Sequence, residues 1–270
     1  MDKRPIGIFD SGVGGLTVLR EIIKKAPAEN LFYFGDTARF PYGTKKLEDV
    51  KRFVFKIAEF LCNRDIKLLV AACNTASAAA LEDLRKDFDI PVIGVIEPGA
   101  KAAVENTQNK RIGVIATEGT VKSAAYDKAI HKIDKTASIF SSPATLLIDY
   151  IEKGVLEGYQ LDAAISECIS PLTGQDIDVL ILGCTHFPLI EQQIKARCND
   201  GFKIISSAEE TAKEVVRILC LQNIENASGI AASRMFFETG SESRLLEIGK
   251  RFLGDDIKEI ISADLDIQPS

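Results

Sequence analysis

Short continuous apolar runs alternate along this chain with stretches whose apolar positions recur every three to four residues. The runs PIGIF (5–9), LFYFGD (31–36), 67–72, PVIGV (91–95), RIGVIA (111–116), 137–140, 178–183 and KIIS (203–206) read as strands. MFFET (235–239) and IKEII (257–261) close the chain in the same style. Helical spacing covers 16–26, about 44–63, 75–86, 97–106, 121–132, 145–153, 161–169, 187–198, 207–222 and 243–253. Val50, Phe53, Val54, Ile57, Ala58 and Leu61 form the clearest stripe. Lys24 and Lys25 suit the negative end of the first helix dipole, and Ser207 with Glu210 predicts a capping box. TARFPYG (37–43) is a loop and the polar stretch 223–229 a surface connection.

Alternating strands and helices, with strands apolar throughout, predict an α/β fold of mainly parallel sheets flanked by helices. The pattern also restarts. RIGVIA echoes PIGIF, TEGT (117–120) takes the place of DSGVGG (10–15), and KLLVAAC (67–73) aligns with DVLILGC (178–184). Two similar domains follow, 1–96 plus 209–270 and 97–208, with a site in the cleft between them. Ligands of parallel α/β sheets bind beyond the carboxyl ends of the strands. Asp10, Cys73, Thr117, Cys184 and the Tyr42 loop all fall at such ends.

With 270 residues, 46% of them apolar, the chain can bury a sizeable core. Its net charge of −6 without a basic cluster argues against a nucleic-acid partner. No apolar run approaches the roughly 18 residues of a membrane span, and Asp10 interrupts the first apolar stretch too early for a signal peptide. Six cysteines without a CxxC pair fit a reduced, cytoplasmic setting.

Cys73 and Cys184 stand 111 positions apart, each where a strand gives way to a helix. A helix N-terminus favours the thiolate, the form of a thiol that acts as base or nucleophile. A small apolar residue at a strand end would look the same in one copy, but two equivalent positions of a duplicated unit point to function. Cys62, Cys168, Cys198 and Cys220 lie inside helical patterns and read as packing. The spacing in Cys184-Thr185-His186 is a poor match for zinc, so no metal is expected. His186 reads instead as a charge partner or proton relay for Cys184. His131 has no chemical neighbour and reads as a surface residue. DSGVGG lacks both the GxGxxG spacing and the lysine of a phosphate loop. Asp10 and Ser11 can project into the cleft, with glycines that let a ligand approach the backbone. Asp10 would then assist Cys73 as His186 assists Cys184.

Two thiols across one cleft suit inversion of a weakly acidic C–H stereocentre. One thiolate removes the proton, the opposite thiol returns one to the other face, and no cofactor is needed. Neutral donors aimed at a carboxylate would stabilise the developing charge, and Asn74, Thr75, Thr117 and Thr185 are candidates. A nucleotide- or sugar-binding module with incidental cysteines is the alternative of another class.

IGIFDSGVGGLTVL (6–19), FYFGDTARFPYG (32–43), ACNTASA (72–78), ILGCTHFPL (181–189) and FFETGSESRLLEIGKRFLG (236–254) resemble the signatures of the glutamate racemase family. The resemblance implies a cofactor-independent isomerase that interconverts L- and D-glutamate and supplies D-glutamate for peptidoglycan. It makes Cys73 the base toward D-glutamate and Cys184 the base toward L-glutamate, assisted by Asp10 and His186. Ser11, Tyr42, Gly43, Asn74, Thr75, Thr117 and Thr185 match substrate-binding positions, together with Asp10 and His186. Glu152, in YIEKG, matches the family's acidic residue, although SSPATLLIDY upstream departs from the usual proline-rich version. Thr120 is left out because TEGT differs from the usual turn. A homodimer is the family expectation. Activation through an N-terminal extension is not expected of a chain that begins five residues before its first strand. The neighbouring alternative is a relative acting on aspartate or hydantoins.

Overall fold

The computed structural model describes residues 1–198, 202–229, 231–240 and 243–265. Positions 241 and 242 of the C-terminal signature lie outside these described residues, as do 199–201, 230 and 266–270 of the expected domains.

Strands β1 (Ile6–Asp10), β2 (Leu31–Gly35), β3 (Leu68–Ala71) and β4 (Val92–Gly94) alternate with helices α1 (Leu16–Lys25), α2 (Leu47–Cys62) and α3 (Asn74–Asp87). Helix α4 (Ile96–Asn106) leads into β5 (Arg111–Ala116), α5 (Glu118–Lys122), α6 (Ala125–Ile133), β6 (Ser138–Pro143), α7 (Thr145–Glu152) and α8 (Tyr159–Ile169). Then come β7 (Val179–Gly183), α9 (Glu191–Arg197), β8 (Lys203–Ser206) and α10 (Ser207–Gln222), and finally β9 (Arg234–Glu238), α11 (Ser243–Leu253) and β10 (Ile261–Ser262). The strands form two parallel sheets, ordered β10-β9-β2-β1-β3-β4 and β6-β5-β7-β8. The orders β2-β1-β3-β4 and β6-β5-β7-β8 are the same, so the sequence echo corresponds to a repeated topology.

Each sheet is covered on both faces, which is why the central strands β1, β3, β5 and β7 are buried and apolar along nearly their whole length. Ile6, Ile8, Leu68 and Val70 pack with α1, α10 and α11, while Phe9, Phe34, Leu69 and Ala71 pack with α2 and α3. In the second sheet, Leu180 and Leu182 meet α7, α8 and α9, and Val179 and Ile181 meet α4 and α6. At the amino end of the first sheet, away from the cysteines, the buried Lys67 ammonium lies 2.6 Å from Glu29. It also donates to the carbonyls of Asp2 and Ile224 at 2.8 and 2.7 Å. The paired charge and these two bonds make the burial tolerable.

Several elements differ from the sequence expectation. The helix expected at 121–132 is two helices, because Ala124 adopts a left-handed conformation with φ of 51°. The helix expected at 187–198 opens with a 3₁₀ turn, Phe187–Ile190. The final run is a strand only at Ile261–Ser262, not over 257–261. No capping box forms at Ser207: the N-cap is Ser206, and the Ser207 hydroxyl donates to the carbonyl of Leu182. Among the described residues, no helix is long and apolar enough to cross a membrane.

Candidate active site

In each sheet the connections leave in opposite directions from two adjacent central strands, β1 and β3 in one and β5 and β7 in the other. Such switch points leave a crevice at the carboxyl ends. Phe9 pairs with Ala71 in register, so Ser11 and Cys73 follow side by side. Ala116 pairs with Gly183, so Thr117 and Cys184 do the same. The cysteines therefore occupy matching places in matching sheets.

Hydrogen bonds join the two crevices. The Thr75 hydroxyl lies 3.0 Å from that of Thr117, and the Thr185 hydroxyl donates to Asp10 Oδ1 at 3.3 Å. The Tyr126 phenol donates to Asn74 Oδ1 at 2.8 Å, and Thr17 Oγ1 lies 2.9 Å from the carbonyl of Thr185. Each of these contacts bridges a segment of the first sheet and one of the second. Gly43 lies against Thr117, where an added Cβ would come within 2.7 Å of its side chain.

Cys73 is the N-cap of α3 and is only 6% exposed. Its thiol donates to Ser11 Oγ at 3.8 Å. The helix end does supply an N–H, from Ala76, but burial outweighs it, and with the nearby charge of Asp10 pushes the thiol up to about 12. The expected thiolate at the helix N-terminus is thus a thiol in the resting protein. The reason is desolvation, which penalises the anion more than one amide stabilises it.

Cys184, 5% exposed, has a different neighbour. Its sulfur lies 3.7 Å from His186 Nδ1, and His186 Nε2 lies 2.7 Å from Glu152 Oε1. Burial alone would lower the imidazole. The bonds to Cys184 and Glu152 override it and raise His186 from 6.5 to about 10, so the ring is a cation that donates from both nitrogens. Glu152 thus stands in the cluster through His186, at the carboxyl end of α7. Asp10 does not mirror His186. No hydrogen bond joins it to Cys73: its Oδ2 accepts from the Gly12 amide at 2.9 Å and its Oδ1 from Thr185. Burial raises its carboxyl, opposed by the His186 charge.

The Tyr42 phenol donates to Asp36, and its backbone forms a 3₁₀ turn, Tyr42–Thr44. Two members of this network were missed in the sequence. Thr120 Oγ1 lies 2.9 Å from Thr117 Oγ1 and 3.3 Å from Thr75 Oγ1; its position three residues after the Thr117 N-cap was the available signal. Asp36 carried no signal beyond ending a strand. His131 is exposed and bonds only the carbonyl of Ala137.

One glycine of DSGVGG is also required by the fold itself. A Cβ on Gly14 would lie 2.5 Å from both His186 Nδ1 and Thr185 Oγ1, so the group approaching this backbone is the second half of the protein itself. Gly14→Ala should displace His186 from Cys184. Overpacking of this kind costs about 1–3 kcal/mol. We expect turnover to fall at least about tenfold while the chain still folds, read by activity and melting temperature. Wild-type turnover in Gly14→Ala would show that this approach is not needed.

Fold and site define a class, that of α/β isomerases with paired thiols at the switch points of two like sheets. The family model described as Asp/Glu/Hydantoin racemase matches residues 6–215. The chain belongs to this racemase family and is an isomerase. A glutamate racemase from Geobacter metallireducens is 44% identical over 268 residues, 99% of each chain. The crystal structure of glutamate racemase isoform RacE1 from Bacillus anthracis superposes with a TM-score of 0.95 at 44% identity, covering 99% of this chain and 100% of that one. The glutamate racemase of Francisella tularensis, solved in complex with D-glutamate, gives 0.92 at 34% identity, covering 98% and 99%.

Proposed function

We propose that this protein interconverts L- and D-glutamate by passing the Cα proton between Cys73 and Cys184, without a cofactor, and so supplies D-glutamate for peptidoglycan. Residues 1–96 plus 209–270 form the Cys73 half and 97–208 the Cys184 half. The observation that carries the reading is the pair of cysteines at equivalent switch points, linked by hydrogen bonds that cross from one sheet to the other.

In one direction Cys184, beside His186, takes the proton from L-glutamate and Cys73 delivers one to the opposite face; from D-glutamate the two roles exchange. Asn74, Thr75, Thr117 and Thr185 meet the substrate's α-carboxylate as charge builds toward the carbanion. The Asn74 side-chain nitrogen is buried with no hydrogen-bond partner among the described residues, a donor held for a ligand. Ser11, Tyr42 and Gly43 hold the remainder of the substrate, and Asp10 keeps Thr185 oriented. Such a protein works in the cytoplasm, and a homodimer is consistent with the family.

Circular dichroism of L-glutamate and of L-aspartate, each with the purified protein and no added cofactor, tests the reading. Loss of ellipticity with glutamate at a rate far above that with aspartate is the expected result. No change with glutamate overturns it, and a faster change with aspartate gives the substrate to the neighbouring alternative.

A further inference from the structure

Asp36, at the end of β2, is wholly buried, and the proposed function gives it no part. Three separate pieces of the fold meet on it. Its amide donates to the carbonyl of Asp10 at 2.9 Å. Its Oδ1 accepts from Arg39 Nη1 and from Thr239 Oγ1, each at 2.7 Å, and its Oδ2 accepts from the Tyr42 phenol. The guanidinium of Arg39 also lies 5.2 Å over the Phe53 ring, so it is held on both sides.

The segment that starts here crosses from the first sheet to the second. Phe40 packs with the apolar cluster that contains Cys184 and Phe187. Its ring stands 5.9 Å from that of His186, and a Cβ on Gly12 would come within 3.0 Å of it. A Cβ added to Gly119 would come within 3.0 Å of the Gly43 carbonyl. Residues 37–44 thus cover the crevice, with both cysteines almost fully enclosed beneath.

We propose that Asp36 is a positioning residue for the reaction: it holds segment 37–44 as a latch, setting Tyr42 and Gly43 for the substrate and Phe40 over His186. The chemistry of the contact requires a carboxylate. Three donors converge on it, from a guanidinium, a hydroxyl and a phenol, and an ionised carboxylate accepts all of them with nothing to donate. An asparagine has one acceptor oxygen and turns an NH₂ toward a donor. A substrate must open such a latch to enter and closes it when bound, so loosening the latch weakens binding before it slows chemistry.

This inference rests on the proposed racemisation, and the test separates the two. Kinetic constants for both enantiomers are measured with the wild type, Asp36→Asn, Tyr42→Phe, the double variant and Thr239→Val. The two glutamates are mirror images, so kcat/KM must be equal in the two directions, which checks each data set internally. Asp36→Asn is expected to raise KM about tenfold or more for both enantiomers with a smaller change in kcat. The double variant should be no worse than Asp36→Asn within about twofold, because both changes cut one contact. Thr239→Val, which removes one donor to Asp36 and with it the acceptor of the Ala38 amide at 3.2 Å, should raise KM about twofold to threefold and serves if Asp36→Asn does not fold. An unchanged KM in a folded Asp36→Asn or in Thr239→Val overturns the latch, as does multiplication of the two losses in the double variant. A wild type inactive on glutamate overturns the proposed function and the latch together.

Discussion

Cys73→Ala and Cys184→Ala should each reduce racemisation of glutamate by at least about 10³-fold. Each variant removes the thiol proposed to hold the travelling proton on its face. The Cys73 thiol bonds the Ser11 hydroxyl, far too weak a base when neutral. Beside Cys184 stands His186, already protonated and engaged with Glu152, so it cannot take a second proton. Inversion needs both faces, and the loss in either variant must therefore appear from L- and from D-glutamate alike. Replacing a buried thiol by a methyl group leaves only a small void, and the melting temperature of the variants separates a chemical loss from a folding loss. Either variant racemising at close to the wild-type rate would exclude the two-base assignment. Cys168→Ala is the natural control: that cysteine packs in the second half at the end of α8, where burial raises its thiol to about 11.

The sequence carried the sheets and the cysteine positions for the same reason. A parallel strand covered on both faces must be apolar along its length, and the first polar or reactive residue after it marks the carboxyl end where ligands bind. KLLVAAC and DVLILGC state both facts locally. What stayed illegible depends on groups distant in the chain. Ser207 with Glu210 satisfies the local rule for a capping box, yet the hydroxyl goes to Leu182, twenty-five positions away. Gly14 meets Thr185 and His186 from the other half, a close approach that the local pattern DSGVGG does not specify. The break at Ala124 could not be seen either, since alanine is an ordinary helix former and only its left-handed φ ends the helix there. Asp36 gains Thr239 from 203 positions away, and Thr120 meets Thr75 only when the two sheets are brought together.

His186→Gln should lower kcat by about 10²-fold and remove a pH dependence of stability, and the two effects share one cause. The folded protein raises His186 from 6.5 to about 10, since bonds to Cys184 and Glu152 outweigh the burial that opposes the charge. Between these values the folded state keeps a proton that the unfolded chain has lost. The stability contributed by that proton is complete below about pH 6.5, declines as pH rises and is gone above about pH 10. Cys73 adds a second decline of the same sign, but its window runs from 9.0 to about 12. Melting temperature measured from pH 6.5 to 9 therefore isolates the histidine: the wild type should fall across this range and His186→Gln should not. Glu152→Gln, which keeps the shape but not the charge, should shift the alkaline limb of kcat/KM to lower pH and flatten the melting curve in part, because the imidazolium loses one of its two acceptors. An identical fall in wild type and His186→Gln would mean that the proton on this ring is not what the fold holds.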